Sequence, residues 1–345
     1  MKEKLNCEYC GSQNYTRLNT YKHHAVVCSD CTNVSHFKKD KYLFEYLIPR
    51  STAKKIFPKK AFLRLFSDQN DFVAAEFYDV DAFDKMDKTE WRKSEVQQVL
   101  DQLDLVDFNP KQKRILDVSG GPGVVGEELS MLGADVLVTE YAESQVKSMG
   151  GRQGISSIKF DYLSDNISDV TNGKFDLIMV RSSIIFCPKL DEFVAELGDL
   201  LNPKGLVLVE SILPTLGEIY WWQQLEYKFP FVYSQESIEK SFYKAGFTLQ
   251  HGYRDYGSYI GVKYRSYVEF HKALFTWVLE FPMVLAYFSL NFFKKPSIDK
   301  SMGHKMITQF WIKGRAGAAE YTNYNQGRKN MSKTFGYKYN GYLKK

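Results

Sequence analysis

Between residues 114 and 143 the chain reads "RILDVSGGPGVVGEELSMLGADVLVTEYAE": a short apolar run, a glycine cluster, a helical stretch and a second apolar run that ends on an acid. That order predicts a strand, a tight turn, a helix and a second, parallel strand. Gly120, Gly121 and Gly123 occupy the turn. Without β-carbons they let the backbone bend sharply and let a ligand lie against it, and the helix that follows offers unpaired N–H groups to a negative group. In an open sheet of this kind, ligands sit beyond the carboxyl ends of the strands.

The same alternation continues downstream. "SIKFD", "FDLIMV" and "GLVLVES" read as strands, with helices between them through Leu201. A further helix begins after Ser234 and stops at Gly246, and "FTLQHGY" and "MITQFWIKG" read as closing strands. The pattern predicts an α/β fold with a largely parallel sheet and helices on both faces.

Glu140 closes the second strand, within reach of a ribose whose hydroxyls a carboxylate can accept, so a nucleoside is implied. The frame Gly121-x-Gly123-x-x-Gly126, with an acid nineteen residues after Gly121, fits a dinucleotide as well as S-adenosylmethionine. Two further acids favour the second. Asp117, at the end of the first strand, suits a cationic amino or sulfonium group better than a pyrophosphate. Asp161, at the end of "SIKFD", is placed to accept from an adenine amino group.

Over roughly residues 110 to 315 the chain resembles the class I S-adenosylmethionine-dependent methyltransferases. "LDVSGGPG" looks like their first motif, with Glu140 at the ribose position and Asp161 at the adenine position, and residues 175 to 211 look like their fourth strand, following helix and fifth strand. The resemblance implies a Rossmann-like sheet and S-adenosylmethionine as cofactor. The cofactor set is expected to comprise Asp117, Ser119, Gly120, Gly121, Gly123, Glu140, Tyr141, Asp161 and Arg181. Ser119 stands where the motif usually has its first glycine.

Four of the five cysteines form Cys7-x-x-Cys10 and Cys28-x-x-Cys31, separated by seventeen residues. Each knuckle turns sharply enough to present two thiolates to one tetrahedral ion, and the interval suits a β-ribbon that brings the pairs together. A structural Zn2+ held by all four is expected; a closed site has no open position for chemistry. The first residues lack an apolar core and a cleavage site of the secretory kind, so a reducing cytosol is the expected compartment.

These features suggest four regions: a zinc ribbon at 1–48, a helical linker region at 49–109, the methyltransferase domain at 110–315 with an insertion at 254–303, and a basic, Tyr-rich tail at 316–345 that is expected to be partly disordered. The net charge is only +5, with lysines and arginines gathered near residues 38–60 and 328–345, so nucleic acid is the less favoured partner. Residues 273–295 have the length of a membrane span. Glu280 and Pro282 interrupt the run, however, and "MITQFWIKG" must return to the sheet. Packing in the protein or an oligomer is favoured there, then peripheral contact with the inner face of a membrane near a lipid-linked substrate; a true span fits least.

The layout is also similar to bacterial methyltransferases acting on sugars or cell-surface polysaccharide precursors, which implies a small-molecule or lipid-linked, sugar-type acceptor. Members of that group often carry a histidine just after the fourth strand, where this chain has Arg181, Ser182 and Ser183, so no base is assigned. Glu218, Tyr220, His251, His271 and His304 qualify as catalytic candidates by position alone. The run 217–233 places Tyr220, Trp221, Trp222, Tyr227 and Tyr233 near the substrate entrance, with about half of them expected in the core. A zinc-containing RNA methyltransferase and a non-catalytic interaction protein are the alternative readings.

Overall fold

The computed structural model describes residues 6–7, 9–19, 23–38, 49–56, 90–152, 154–214, 231–255, 294, 306–314 and 320–323. Three antiparallel strands come first: β1 (Tyr15–Asn19), β2 (His23–Cys28) and β3 (Val34–Lys38). Helices α1 (Arg50–Ile56) and α2 (Glu90–Asp104) follow. The glycine-rich region then gives β4 (Arg114–Val118), α3 (Val124–Met131) and β5 (Asp135–Glu140), as its pattern predicts. Beyond it come α4 (Glu143–Met149), β6 (Ile155–Lys159), α5 (Ile167–Val170), β7 (Phe175–Arg181), α6 (Leu190–Asp199) and β8 (Leu201–Ile212). The chain continues through β9 (Phe231–Val232), α7 (Gln235–Lys244), β10 (Phe247–Asp255), β11 (Met306–Lys313) and β12 (Glu320–Asn323).

The large sheet has the order β12-β10-β11-β8-β7-β4-β5-β6. Strands β4 to β8 are mutually parallel where they pair, and β11 runs antiparallel to both β8 and β10. The chain winds outward from β4 through β5 to β6, then returns to β7 on the other side of β4. The connections leaving β4 and β7 therefore diverge, and a crevice opens at their carboxyl ends.

Both faces of the central strands are buried, which is why they read as continuous apolar runs and do not alternate. On one face Leu116, Val118, Ile178, Val180, Val207 and Val209 pack with Phe193 and Leu197 of α6, Phe242 of α7 and Trp311. On the other, Ile115, Leu177, Met179, Leu206, Leu208 and Phe310 pack with Val99 and Leu103 of α2, Val125 and Leu129 of α3 and Met149 of α4. Each fully buried Leu, Ile or Phe contributes about 1.5–3 kcal/mol.

Helix α7 starts on Ser234, whose hydroxyl accepts from Ser237 N at 3.2 Å, and ends at Gly246, whose φ of +82° is the left-handed value that closes a helix cheaply. Three features depart from the sequence expectations. Helix α2 shares a core with the sheet, so the packed unit reaches back at least to Glu90 and does not begin at residue 110. The tail at 316–345, expected to be partly disordered, contributes β12, which pairs in parallel with β10; the rest of it lies outside the described residues. Finally, β3 pairs with β9, Val34 opposite Val232 and Ser35 opposite Phe231, so the N-terminal ribbon shares its core with the large sheet. Two residues are too short a strand to stand out in a sequence.

Candidate functional site

Asp117 ends β4 as a buried carboxyl. Burial lifts its pKa to about 6; Arg181 opposes the lift, while Glu140, Glu210 and Glu95 add to it. The chain then turns through Ser119 and Gly121, both left-handed at φ +55° and +59°. A serine in that conformation carries a strain on the order of 1 kcal/mol that a glycine would not, so the position keeps the shape of the usual motif with a different residue. Its N–H donates to Thr139 Oγ1 at 3.1 Å. At Gly120 a β-carbon would fall 2.5 Å from Asp117 Oδ2 and 2.8 Å from Val138 Cγ1, so only glycine fits. At Gly121 it would meet nothing within 4 Å: this side of the turn faces open space.

Glu140, at the end of the neighbouring strand β5, is buried as well. Its Oε2 accepts from Gly121 N at 3.0 Å, and its Oε1 accepts from Tyr141 N at 2.8 Å and Ala142 N at 3.1 Å. Burial raises its pKa and these three amide donors counter the rise. A carboxylate has about four lone-pair sites, so Oε2 retains capacity for a ligand hydroxyl. Tyr141, half exposed, presents a ring beside it. Asp161 lies two residues beyond β6, and its Oδ1 is engaged by Leu163 N at 2.9 Å. Behind it, the Tyr162 hydroxyl pairs with Ser183 Oγ at 3.0 Å, and Ser183 Oγ donates to Val118 O at 3.2 Å, tying together the turns after β4, β6 and β7.

Arg181 and Glu210 are opposite each other on β7 and β8. Arg181 Nε donates to Glu210 Oε2 at 2.7 Å, and a terminal nitrogen donates to Glu95 Oε2 of α2 at 2.7 Å. Glu210 Oε1 accepts from Gln98 and Gln102 of the same helix at 2.9 and 2.7 Å. Glu95, Gln98 and Gln102 share one helix face by their spacing. Sequence reading placed Arg181 in the cofactor set and missed its partners. The signal was an acid, Glu210, inside the otherwise apolar run "GLVLVES".

With this arrangement in place, comparison with known proteins becomes specific. Residues 89–251 match the family model described as a methyltransferase domain. This segment, a little under half of the chain, has the fold of a methyltransferase domain. The similar curated proteins include ubiquinone biosynthesis O-methyltransferases of Mesorhizobium japonicum (26% identical over 149 residues, 39% of this chain and 60% of that protein) and Rickettsia bellii (27% over 99 residues, 28% and 41%). The chain thus spans less than two thirds of the length of these relatives. Solved structures that overlay on it include a magnesium protoporphyrin IX methyltransferase from Synechocystis with bound SAH (14% identical, 64% of this chain and 83% of that one, TM-score 0.39). Another is the N-methyltransferase NodS from Bradyrhizobium japonicum with SAH (13%, 67% and 91%, TM-score 0.41). At scores this low the assignment rests on the strand order and the family match.

The methyltransferase domain brings Asp117, Ser119, Gly120, Gly121, Glu140, Tyr141 and Arg181 to the carboxyl edge of β4, β5 and β7. Gly123 sits deeper: with φ +73° it precedes α3, and a β-carbon there would fall 2.6 Å from Met149 Sδ. Of the catalytic candidates, Glu218, Tyr220, His271 and His304 lie outside the described residues. His251 is on β10, in the same row as Asp117 through Phe310, Leu208 and Met179, four strand spacings or roughly 19 Å away. It is not in the cofactor crevice. Tyr233 is core: it is buried and donates to Cys187 O at 2.5 Å. Tyr220, Trp221, Trp222 and Tyr227 lie outside the described residues, as does 273–295 apart from Lys294, whose Nζ donates to Arg17 O at 2.7 Å. Among the described residues no helix is long and apolar enough to cross a membrane.

Packed against the methyltransferase domain, the ribbon gathers Cys7, Cys10, Cys28 and Cys31 so that all four sulfurs lie within 4.8 Å of one another. The Cys7 to Cys31 and Cys10 to Cys28 separations are 3.6 and 3.5 Å. A tetrahedral ion with metal–sulfur bonds of about 2.3 Å sets its ligands roughly 3.8 Å apart, so the cluster fits one. The hydrogen bond from Cys31 draws the Cys7 thiol down to about 5 against the effect of burial. The same contact raises Cys31.

Proposed function

We propose that the protein transfers a methyl group from S-adenosylmethionine to an oxygen of a small-molecule or lipid-linked, sugar-type acceptor. The observation that carries this reading is the pair of buried carboxylates, Asp117 and Glu140, at adjacent strand ends on either side of the open face of Gly121. A pyrophosphate would be repelled there. An ammonium and sulfonium ligand with a ribose is attracted, and this favours S-adenosylmethionine over a nicotinamide dinucleotide.

When bound, S-adenosylmethionine supplies a methyl group electrophilic enough that alignment is the main task left to the protein. Asp117 would hold the cationic end, Glu140 the ribose, and Tyr141 would offer its ring to the adenine. The glycine turn allows close approach. An acceptor hydroxyl would have to pass its proton to water or to a base of the acceptor site; among the described residues no histidine stands at the ends of β4 or β7. Transfer to oxygen draws support from the relatives named as O-methyltransferases, and the sugar class from the overall layout. The four thiolates suit a structural Zn2+.

Two measurements test the reading. Purified protein should gain thermal stability with S-adenosylmethionine or S-adenosylhomocysteine, and NAD should have no such effect. Cell extract supplied with methyl-labelled cofactor should then place the label in glycan or lipid. Absence of stabilisation by either adenosyl compound would remove the proposal, and label entering RNA alone would replace the acceptor class.

A further inference from the structure

The last position of β7 holds no base here; it holds Arg181. The geometry points to Arg181 as a positioning residue for cofactor binding: held between Glu210 and Glu95, it ties α2 over the carboxyl edge and supplies the positive charge that faces Asp117. This rests on the cofactor reading and adds a residue that touches no cofactor.

The register fixes the arrangement. Asp117 pairs with Met179, and Arg181 lies two residues further along β7, on the same face of the sheet. That face is covered by α2. Directly opposite Arg181 is Glu210, and Glu95 reaches it from the helix; both ion pairs are 2.7 Å long. Arg181 is mostly shielded, with 14% of its side chain exposed, so its interactions are weakly screened by water. The charged groups that act on Asp117 are Arg181 of β7, Glu140 of β5, Glu210 of β8 and Glu95 of α2. Asp117 thus faces one cation and three other acids. Without Arg181, Asp117 would be buried among like charges alone and would take up a proton, which removes its attraction for an ammonium group.

Glu95 and Arg181 act on Asp117 with opposite sign, so their variants should diverge. S-adenosylhomocysteine binding is measured by calorimetry from about pH 5 to pH 8, with melting temperatures of the unliganded proteins alongside. Wild-type affinity should fall as pH drops through about 6. Arg181→Met should move that fall upward by roughly one pH unit or more, Arg181→Lys should restore most of the wild-type profile, and Glu95→Gln should move it downward. A loss in Arg181→Met that is equal at every pH would mark the residue as merely structural and overturn the inference. If Arg181→Met does not fold, the downward shift in Glu95→Gln supports the inference and its absence overturns it. Wild-type protein that binds no S-adenosylhomocysteine sinks the cofactor reading and this inference with it, whereas binding that no variant shifts sinks only the inference.

Discussion

The Ser234 hydroxyl donates to the Cys31 carbonyl at 2.8 Å, so the residue that caps α7 also grips the second cysteine knuckle. Ser234 N donates to Asn33 Oδ1 at 2.7 Å, and the Tyr9 hydroxyl, beside the first knuckle, donates to Ser237 O at 3.1 Å. With the β3–β9 pairing, these bonds make the ribbon part of the wall that supports α7. Removing an ion held by the four cysteines should therefore do more than unfold a small appendage. Chelation is expected to lower the melting temperature of the whole protein and to weaken one cooperative transition, read by calorimetry together with a zinc assay. A metal-free protein with an unchanged melting profile would show that the ribbon is thermodynamically separate.

Ser234→Ala removes a helix cap and the bond to Cys31 in one step. The cap alone is worth about 1 kcal/mol, and the partly buried Cys31 carbonyl loses the closer of its two donors and keeps Ser237 Oγ at 3.5 Å, adding up to about another 1 kcal/mol. Ser234→Thr keeps the hydroxyl and should recover most of the loss. Urea midpoints of the three proteins decide it; equal losses in the Ala and Thr variants would mean that shape, and not the hydroxyl, matters.

Gly120 and Gly121 are adjacent, yet alanine should affect them differently. At Gly120 the new carbon overlaps Asp117 and Val138, so Gly120→Ala should cost about 1–3 kcal/mol of stability. At Gly121 the carbon enters open space and costs only the left-handed strain, about 1 kcal/mol, but it enters the space proposed for the ligand. Gly121→Ala should thus lose more S-adenosylhomocysteine affinity than stability. The reverse ranking would place the ligand elsewhere.

How much of this was legible in the sequence depends on the range of the interaction. The run 114–140 announced its strand, turn, helix and strand because each signal is local: an apolar run, glycines, 3.6-residue spacing, an acid at a strand end. Ser234 and Gly246 announced the ends of α7 for the same reason. Cys7, Cys10, Cys28 and Cys31 were legible because metal ligation constrains spacing. The Arg181, Glu210 and Glu95 cluster was not, since its members are 29 and 86 residues from Arg181 and meet only when α2 packs on the sheet. The docking of β3 on β9 hid for the same reason: no pattern at Val34 or Val232 encodes a partner about two hundred residues away.

Asp117 gives the sharpest pH test. Its pKa is about 6 in the fold against about 3.9 in an unfolded chain, so the folded state binds more protons between those values. Its contribution to stability is therefore greatest below about pH 4 and is lost as pH rises through about 6, a difference on the order of 3 kcal/mol. Asp117→Asn carries no charge to bury. At pH 7 the variant should be more stable than wild type by up to that amount, and near pH 4 the two should converge. Comparing urea midpoints of the two proteins at each pH cancels the contributions of other titrating groups. The same substitution should abolish S-adenosylhomocysteine binding, because the ammonium group loses its counter-charge. An Asp117→Asn protein that is less stable at pH 7 would mean that attraction to Arg181 outweighs burial, and one that still binds the ligand would mean that another group holds its cationic end.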